Sequence, residues 1–324
     1  AIKNIIGWYR NGTPYALVNM PFENNGSNDG VTDYSGNGNN GTLSGASWSG
    51  SVGYDGKGAY EFDDNYITLP IGSLDDFSFT YWLKSTDSAS GSDWWEGASL
   101  LDAEVCGIVN DWGTSILSNK LAFGIRASGK TIVSTTTIND GNWHFISGTR
   151  EKSSGAYKLY INGVLEASGT GSTDTLDAYS WIGIGTNPCG GTDFTGIIDD
   201  VQLFEHILSE EQVNATYENN THLIVSQETS IGDIWRACVT PNDGYDEGIM
   251  NCSENLTILP NFPPTHDAPI LNATSSTNGT RENLTLYNVS TSDLEGDDVK
   301  NIINWYRNGS SITILNMPFE SINY

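Results

Sequence analysis

The chain has 324 residues with 40 acidic against 14 basic side chains, a formal charge of −26 and an isoelectric point near 4.1. A surface this negative repels phosphate backbones and argues against a nucleic-acid partner. No apolar run reaches the roughly 18 residues of a membrane span. The length allows two or three domains with real cores, and abundant Gly, Ser, Thr and Asn with scarce Leu, Ala, Lys and Glu favour strands and turns over helices. No charged segment followed by an apolar stretch opens the chain, so any export signal is expected outside it.

The first element has a twin at the other end. Lys3–Glu23 reads KNIIGWYRNGTPYALVNMPFE and Lys300–Glu320 reads KNIINWYRNGSSITILNMPFE, identical at 14 of 21 positions with a constant offset of 297. The copies differ at Gly7/Asn304 and through TPYALV/SSITIL, so they have diverged. The pattern predicts a tandem array whose unit is whole domains, far longer than a solenoid repeat. Trp8 and Trp305 are expected in equivalent cores.

From Leu17 to about Tyr217 come strand-length runs separated by Gly, Asn and Asp. The clearest are Ala59–Phe62, Tyr66–Leu69, Ser78–Lys84, Leu121–Arg126, Thr131–Thr136, His144–Arg150, Tyr157–Ile161, Trp181–Ile184 and Ile197–Phe204. In FSFTYWLK, Phe77, Phe79, Tyr81 and Leu83 alternate with Ser78, Thr80, Trp82 and Lys84, which predicts one inward face. YKLYINGVLEAS reads as a hairpin, because Asn162-Gly163 supplies the positive φ of a primed turn. A dozen strands in about 200 residues predict two packed sheets. One short helix is expected at Ser209–Tyr217, with Ser209 as cap and Gln212 reaching back as in a capping box.

The four cysteines lack zinc spacing, and their even number favours two disulfides over buried free thiols. Cys238 and Cys252 flank a Pro241–Gly244 turn between alternating runs, which puts them on facing strands of a hairpin. Cys106 then pairs with Cys189.

The Asn-X-Ser/Thr acceptor motif occurs at Asn11, Asn25, Asn40, Asn214, Asn219, Asn251, Asn255, Asn272, Asn278, Asn283, Asn288 and Asn308. None falls between Gly41 and Val213, although seven Asn lie there. This predicts a secreted protein with N-linked glycans and one sugar-free domain; accidental matches in a Ser/Thr-rich chain are the alternative.

DYSGNGNNGTL, GKGAYEFDDNYITLP, FSFTYWLK, DGNWHFISGTR, YKLYINGVLEAS and FTGIIDDVQLFEHILSEEQV, in this order, resemble the laminin-G-like, concanavalin A-like jelly-roll family over about 200 residues. The flanks resemble an immunoglobulin-like repeat of prokaryotic surface and filament proteins, archaeal ones among them. The resemblance implies an all-β fold: a laminin-G-like jelly-roll sandwich plus immunoglobulin-like β-sandwich halves in a tandem-repeat architecture. Residues 1–16 supply immunoglobulin-like strand C, 17–218 the inserted jelly roll, 219–260 the remaining strands, and 261–324 strands A to C of the next copy. Asn261–Leu271 leads into strand A, Glu282–Ser290 is strand B and Val299–Tyr306 strand C, after a proline-rich joint at Asn261–Pro269. A simple string of beads without insertion is the alternative.

Candidate sites follow. Asp33, Ser35, Asn37 and Asn39 alternate with glycines in a loop able to curl around Ca²⁺, and the resemblance implies one Ca²⁺, to which Asp199 or Asp200 could add a carboxylate; a solvated polar turn is the alternative. Asp293–Asp298 is a second acidic loop, otherwise a charged turn. Trp94 and Trp95, between Asp93 and Glu96, and Trp112 could stack on sugar rings; core packing is the alternative. The acid/base pair of concanavalin-like hydrolases is missing, because Tyr66 follows Glu61 and Asp63 where a second Glu belongs. No enzyme is expected. The sequence reads as a structural unit of an extracellular, glycosylated cell-surface fibre with neighbouring copies as partners. The alternative is a Ca²⁺-dependent glycan-binding adhesin.

Overall fold

The computed structural model describes residues 2–24, 30–107, 110–125 and 129–317. It divides into two compact units, Ala1–Ile258 and Leu259–Tyr324. Asn25, Arg126 and residues 318–320 of the second repeat copy lie outside the described residues.

The first unit begins with β1 (Lys3–Arg10), β2 (Thr13–Pro14), β3 (Val18–Met20), β4 (Gly30–Val31), β5 (Gly41–Ser44) and β6 (Ser47–Ser49). It continues with β7 (Ala59–Asp63), β8 (Tyr66–Leu69), β9 (Phe77–Lys84), β10 (Ala98–Asp102), β11 (Trp112–Leu117) and β12 (Lys120–Ile125). Then come β13 (Thr131–Thr137), β14 (Trp143–Arg150), β15 (Ala156–Ile161), β16 (Val164–Thr170), β17 (Ile182–Ile184) and β18 (Thr195–Phe204). Helix α1 (Glu210–Tyr217) precedes β19 (Ile234–Asn242), β20 (Asn251–Cys252) and β21 (Leu256–Thr257).

Two antiparallel eight-stranded sheets face each other, ordered β13-β12-β11-β10-β17-β8-β5-β4 and β16-β15-β14-β9-β18-β7-β6, with β3 on β18. Their inner faces form the main core, including Phe77, Phe79, Tyr81, Leu83, Trp112, Phe123 and Ile146. These are the two packed sheets the strand spacing predicts, in the jelly-roll arrangement the resemblance implies. The Asn162-Gly163 turn has φ of 51° and 78° and pairs Ile161 with Val164. Gly148 in β14 is dictated by packing, since a Cβ there would stand 2.3 Å from the Phe79 ring.

Strand β9 departs from the one-face expectation, because Ser78, Thr80 and Trp82 are buried too. The second face carries its own cluster of Tyr15, Trp82, Phe145, Tyr160, Phe204, Leu208, Val213 and Trp235, under α1 and a third sheet. Ser78 and Thr80 tolerate that burial because each has a partner: Ser78 Oγ donates to the His206 carbonyl at 2.8 Å, and Thr80 Oγ1 to Gln202 Oε1 at 3.4 Å.

Ser209 caps α1, accepting from Gln212 N at 3.2 Å. The reciprocal arm of a capping box is not made. The Gln212 side chain turns instead to the next loop, donating to the Leu223 carbonyl at 3.2 Å and accepting from Val225 N at 2.9 Å.

The third sheet has the order β2-β1-β19-β20, with β21 also on β19. β1 and β19 run antiparallel over eight pairs, from Lys3↔Asn242 to Arg10↔Trp235. The residues on either side of the jelly roll therefore share one ladder. Cys238 faces Cys252 in that sheet and is joined to it, and Cys106 is joined to Cys189. β19 runs on through Pro241 and Asn242, so the turn falls at Asp243–Asp246 instead of Pro241–Gly244, with Asp243 N donating to the Asp246 carbonyl at 3.3 Å.

The second unit holds the hairpin β22 (Thr265–Ala273) and β23 (Leu284–Ser292), and the small hairpin β24 (Tyr306–Arg307) and β25 (Ser310–Ser311). The expected strand over Val299–Tyr306 reduces to its last residue. Among the described residues the segment has no strand partner until Tyr306 meets Ser311, and an extended segment without a ladder leaves its backbone groups to water.

Candidate functional site

The seam between β1 and the jelly roll concentrates the charged and aromatic contacts. Strand alternation sends Trp8 and Arg10 to one face of the third sheet, with Ala237 and Trp235 opposite them. The Trp8 and Trp235 rings meet edge-on, centroids 6.3 Å apart, at the rim of the second cluster. Trp8 Nε1 donates to the Thr221 carbonyl at 3.0 Å. Arg10 closes this end, its guanidinium 2.8 Å from Asp233 and 5.8 Å over the Trp235 ring. Beneath it, Tyr15 donates to Glu228 at 2.7 Å, and burial and that carboxylate raise the phenol's pKa.

At the other end Lys3 enters a carboxylate cage. Its Nζ lies 2.6 Å from Glu23, 2.9 Å from Asp200 and 3.4 Å from Asp55. Lys57 also reaches Asp55, at 3.2 Å. Glu23 is 1% exposed and Asp199, behind Asp200, is fully buried. A β-bulge between Asp199 and Gln202 re-aims this stretch, and Asp200 takes the left-handed φ of 48°. Burial raises the pKa of Glu23, with Lys3 pulling it back, and burial with the Asp200 charge raises that of Asp199 further. Burial disfavours the Lys3 charge, but the summed field of Asp200, Asp199, Glu23 and Asp55 outweighs it and raises the Lys3 pKa. Sequence reasoning missed this cage because its members stand at positions 3, 23, 55 and 200. The available signal was the Lys/Glu pair, kept at the same spacing in both repeat copies.

The Asp33 loop closes on itself. Asp33 Oδ1 accepts from Asn19 N and Ser35 N at 2.9 Å, and Oδ2 from Ser35 Oγ at 2.7 Å and Asn39 N at 2.9 Å. The Asn37 and Asn39 side-chain amides donate to the Leu17 carbonyl at 3.1 and 2.9 Å. Three backbone N–H groups and the Ser35 hydroxyl thus donate to the Asp33 carboxylate. Asp199 and Asp200 serve the Lys3 cage, not this loop: Asp199 accepts from Tyr54 N at 2.9 Å and Asp200 N at 2.8 Å. Among the described residues no group of three or more His, Cys, Asp or Glu is arranged to hold a metal ion. Asp293 likewise accepts from Glu295 N at 2.9 Å and Asp297 N at 3.2 Å, as a charged turn does.

Two of the three candidate sugar-stacking rings are core residues. Trp94 is fully buried, packed where Gly113 and Gly124 have no Cβ to exclude it. Trp112 is fully buried on β11 against Phe77 and Phe79, centroids 4.4 and 5.9 Å away. Trp95 alone keeps partial exposure. Glu96 is spent on the turn, accepting from Ser92 N at 2.7 Å and Asp93 N at 3.0 Å. Two clefts along the seam, one lined by Ile6, Trp8 and Tyr15 and the other by Lys3, Trp82 and Asp200, hold about 50 Å³ each. That is space for a few waters. Every described acceptor asparagine, Asn11, Asn40, Asn214, Asn219, Asn251, Asn255, Asn272, Asn278, Asn283, Asn288 and Asn308, is exposed.

Residues 61–214 match the family model Laminin_G_3, described as the concanavalin A-like lectin/glucanases superfamily. The jelly roll has a concanavalin A-like fold. A stretch of 118 residues, 33% of the chain, is 30% identical to part of the sushi, von Willebrand factor type A, EGF and pentraxin domain-containing protein 1 of Rattus norvegicus, and the match spans 3% of that protein. Similar solved structures include domain 4 of AbnA, an extracellular arabinanase of Geobacillus stearothermophilus, in complex with arabinotriose, at 21% identity and TM-score 0.48 over 61% of this chain and 96% of that one. Another is the binding domain of Paraclostridial Mosquitocidal Protein 1, at 17% identity and TM-score 0.48 over 64% and 52%. No helix among the described residues is long and apolar enough to cross a membrane.

Proposed function

We propose that this chain is a structural repeat unit of an extracellular, glycan-coated cell-surface fibre, with its concanavalin A-like domain inserted in an immunoglobulin-like one and neighbouring copies as its partners. The observation that carries the reading is the repeated opening segment: it ladders with β19 across the jelly roll, and it returns 297 residues later with the same turn. A domain held at both ends by adjacent antiparallel strands transmits load through their ladder without itself being pulled apart. The disulfides brace the assembly and fit an oxidising, extracellular setting. The exposed acceptors fall outside 41–213, which leaves that part of the jelly roll free of glycan to pack against neighbours. The reading assigns the chain no catalysis; Glu61 and Asp63 stand exposed on β7.

Immunogold labelling with an antibody to this chain tests it. Regularly spaced label along surface fibres is the expected result; label scattered over the cell with no fibre beneath it contradicts the reading.

A second reading, a glycan-binding adhesin, is favoured by the lectin superfamily match. Glycan-array binding by the full chain, with and without a chelator, separates the two. Saturable binding lost on chelation supports a Ca²⁺-dependent adhesin, and binding to no glycan removes it.

A further inference from the structure

The jelly roll leaves the third sheet and returns to it through one stitched neck. Asn11 N donates to the Ile234 carbonyl at 2.8 Å, Ile234 N to Asn11 Oδ1 at 2.9 Å, and Arg10 holds Asp233 at 2.8 Å. Arg10 lies opposite Trp235, so both connections sit at one end of the β1–β19 ladder. Lys3 begins β1 at the other end, beside Asn242. The chain leaves the sheet at the neck end. β21 pairs Thr257 with Ile234, and Ile258 N donates to the Asp233 carbonyl while its own carbonyl accepts from Gly232 N, both at 2.8 Å. A pull that enters at Lys3 and leaves at Ile258 therefore drags β1 and β19 in opposite directions along their length. Ladder hydrogen bonds lie across the strands, so this pull loads all eight pairs together. The Cys238–Cys252 disulfide passes the load covalently from β20 to β19, and Lys3 adds three carboxylate contacts at the entry. The ends of the jelly roll are arranged differently. Leu17 N donates to the Leu203 carbonyl at 2.7 Å, and β3 runs antiparallel to β18 from Val18↔Leu203. A pull on Leu17 and Phe204 parts these strands one pair at a time.

We propose that the β1–β19 ladder is a shear clamp, and that the jelly roll is a reserve of length released only after the clamp fails. The inference rests on the load-bearing role proposed above and adds to it the direction of loading, the order of rupture and the length held back. While the ladder holds, the neck stays stitched and the inserted residues are not in series with the pull. Once β1 slides off β19, Leu17 and Phe204 take the load in the weaker geometry, and the domain opens at or after that event. The Cys106–Cys189 disulfide, spanning 83 residues, keeps part of the reserve closed. At about 3.4 Å per extended residue, its reduction frees ~280 Å more. Forced unfolding follows the barrier crossed instead of the equilibrium stability. The same folded chain therefore resists a pull along the ladder and yields to one that opens the ladder from its end.

Single-molecule force spectroscopy on the full, oxidised chain tests it, with one handle at the amino terminus and the other on an introduced surface cysteine. A handle on Leu259→Cys, at a 67% exposed position next to Ile258, pulls the ladder in shear. A handle on Tyr245→Cys, at an 89% exposed position in the turn after Asn242, pulls β1 and β19 apart from the Lys3 end. The first attachment is expected to rupture at a force at least twice that of the second. Repeating the shear pull under reductant marks the jelly roll, whose step grows by ~280 Å, and that step comes with or after the main rupture. Equal forces at the two attachments overturn the inference, as does a jelly-roll step that precedes the main rupture. If label lines surface fibres and the two attachments rupture alike, the fibre reading stands and only the clamp falls. A twofold difference in force with no fibre beneath the label keeps the clamp and removes that reading.

Discussion

Lys3–Asn19 and Lys300–Asn316 are two diverged copies of one segment in two surroundings. Both make the two-residue pairing across Asn-Gly, both place the asparagine and glycine in the left-handed region, and both close the turn with the same backbone bond to tryptophan. Those features need only neighbours within about 16 residues. Among the described residues, the eight-residue strand and its burial appear only in the first copy, where Ile234–Asn242 lies alongside. The turn is thus local property and the strand a tertiary one, the usual division between turn chemistry and context-dependent strand formation.

Paired substitutions can break that comparison. The largest expected effect is Trp235→Ala, which empties a site in the second cluster and should cost about 3 kcal/mol in denaturant titration. Trp305→Ala in the unladdered copy should change the same titration by less than about 0.5 kcal/mol. Equal losses would mean that the second copy is packed as tightly as the first.

Lys3→Met comes next, at about 2 kcal/mol at neutral pH, because it leaves Glu23 buried without its cation. The folded pKa of Glu23 already stands above its unfolded value, so the folded state holds that proton more readily and stability falls as pH rises through the folded pKa. Without Lys3 the pKa climbs further. The penalty should therefore shrink on going from pH 7 toward pH 5, and melting curves at the two values measure it. A penalty that grows on acidification would contradict the cage.

The smallest effect sharpens the comparison. Gly7→Asn, which makes the first copy read like the second, pushes a Cβ to 3.2 Å from the Tyr34 carbonyl and should cost about 1 kcal/mol. Asn304→Gly should be close to neutral for stability, within about 0.5 kcal/mol. Thermal melts of the two variants check the asymmetry.

What was legible in the sequence follows the same line. The Asn162-Gly163 hairpin, the Ser209 cap and the facing Cys238 and Cys252 rest on residues close together in the chain, and each is present. The sequence left sugar stacking and core packing both open for Trp94 and Trp112, because glycines at 113 and 124 and rings at 77 and 79, distant in sequence, decide their burial. Strand β9 hid its second buried face because α1 and β19, more than 120 residues on, supply the cover. The Asp33 loop has the oxygens a cation wants, but spacing does not reveal that Asn19, Ser35 and Asn39 direct donors at its carboxylate.

Amide hydrogen exchange on the monomeric full chain tests the central claim most directly, reading both copies in one experiment. Ile5 to Arg10 should exchange with strong protection, while Ile302 to Trp305 exchange at rates near those of an unstructured peptide and Ile312 keeps modest protection from its turn bond. Matching protection across the two copies would contradict the account, since the strand would then form without Ile234–Asn242 beside it.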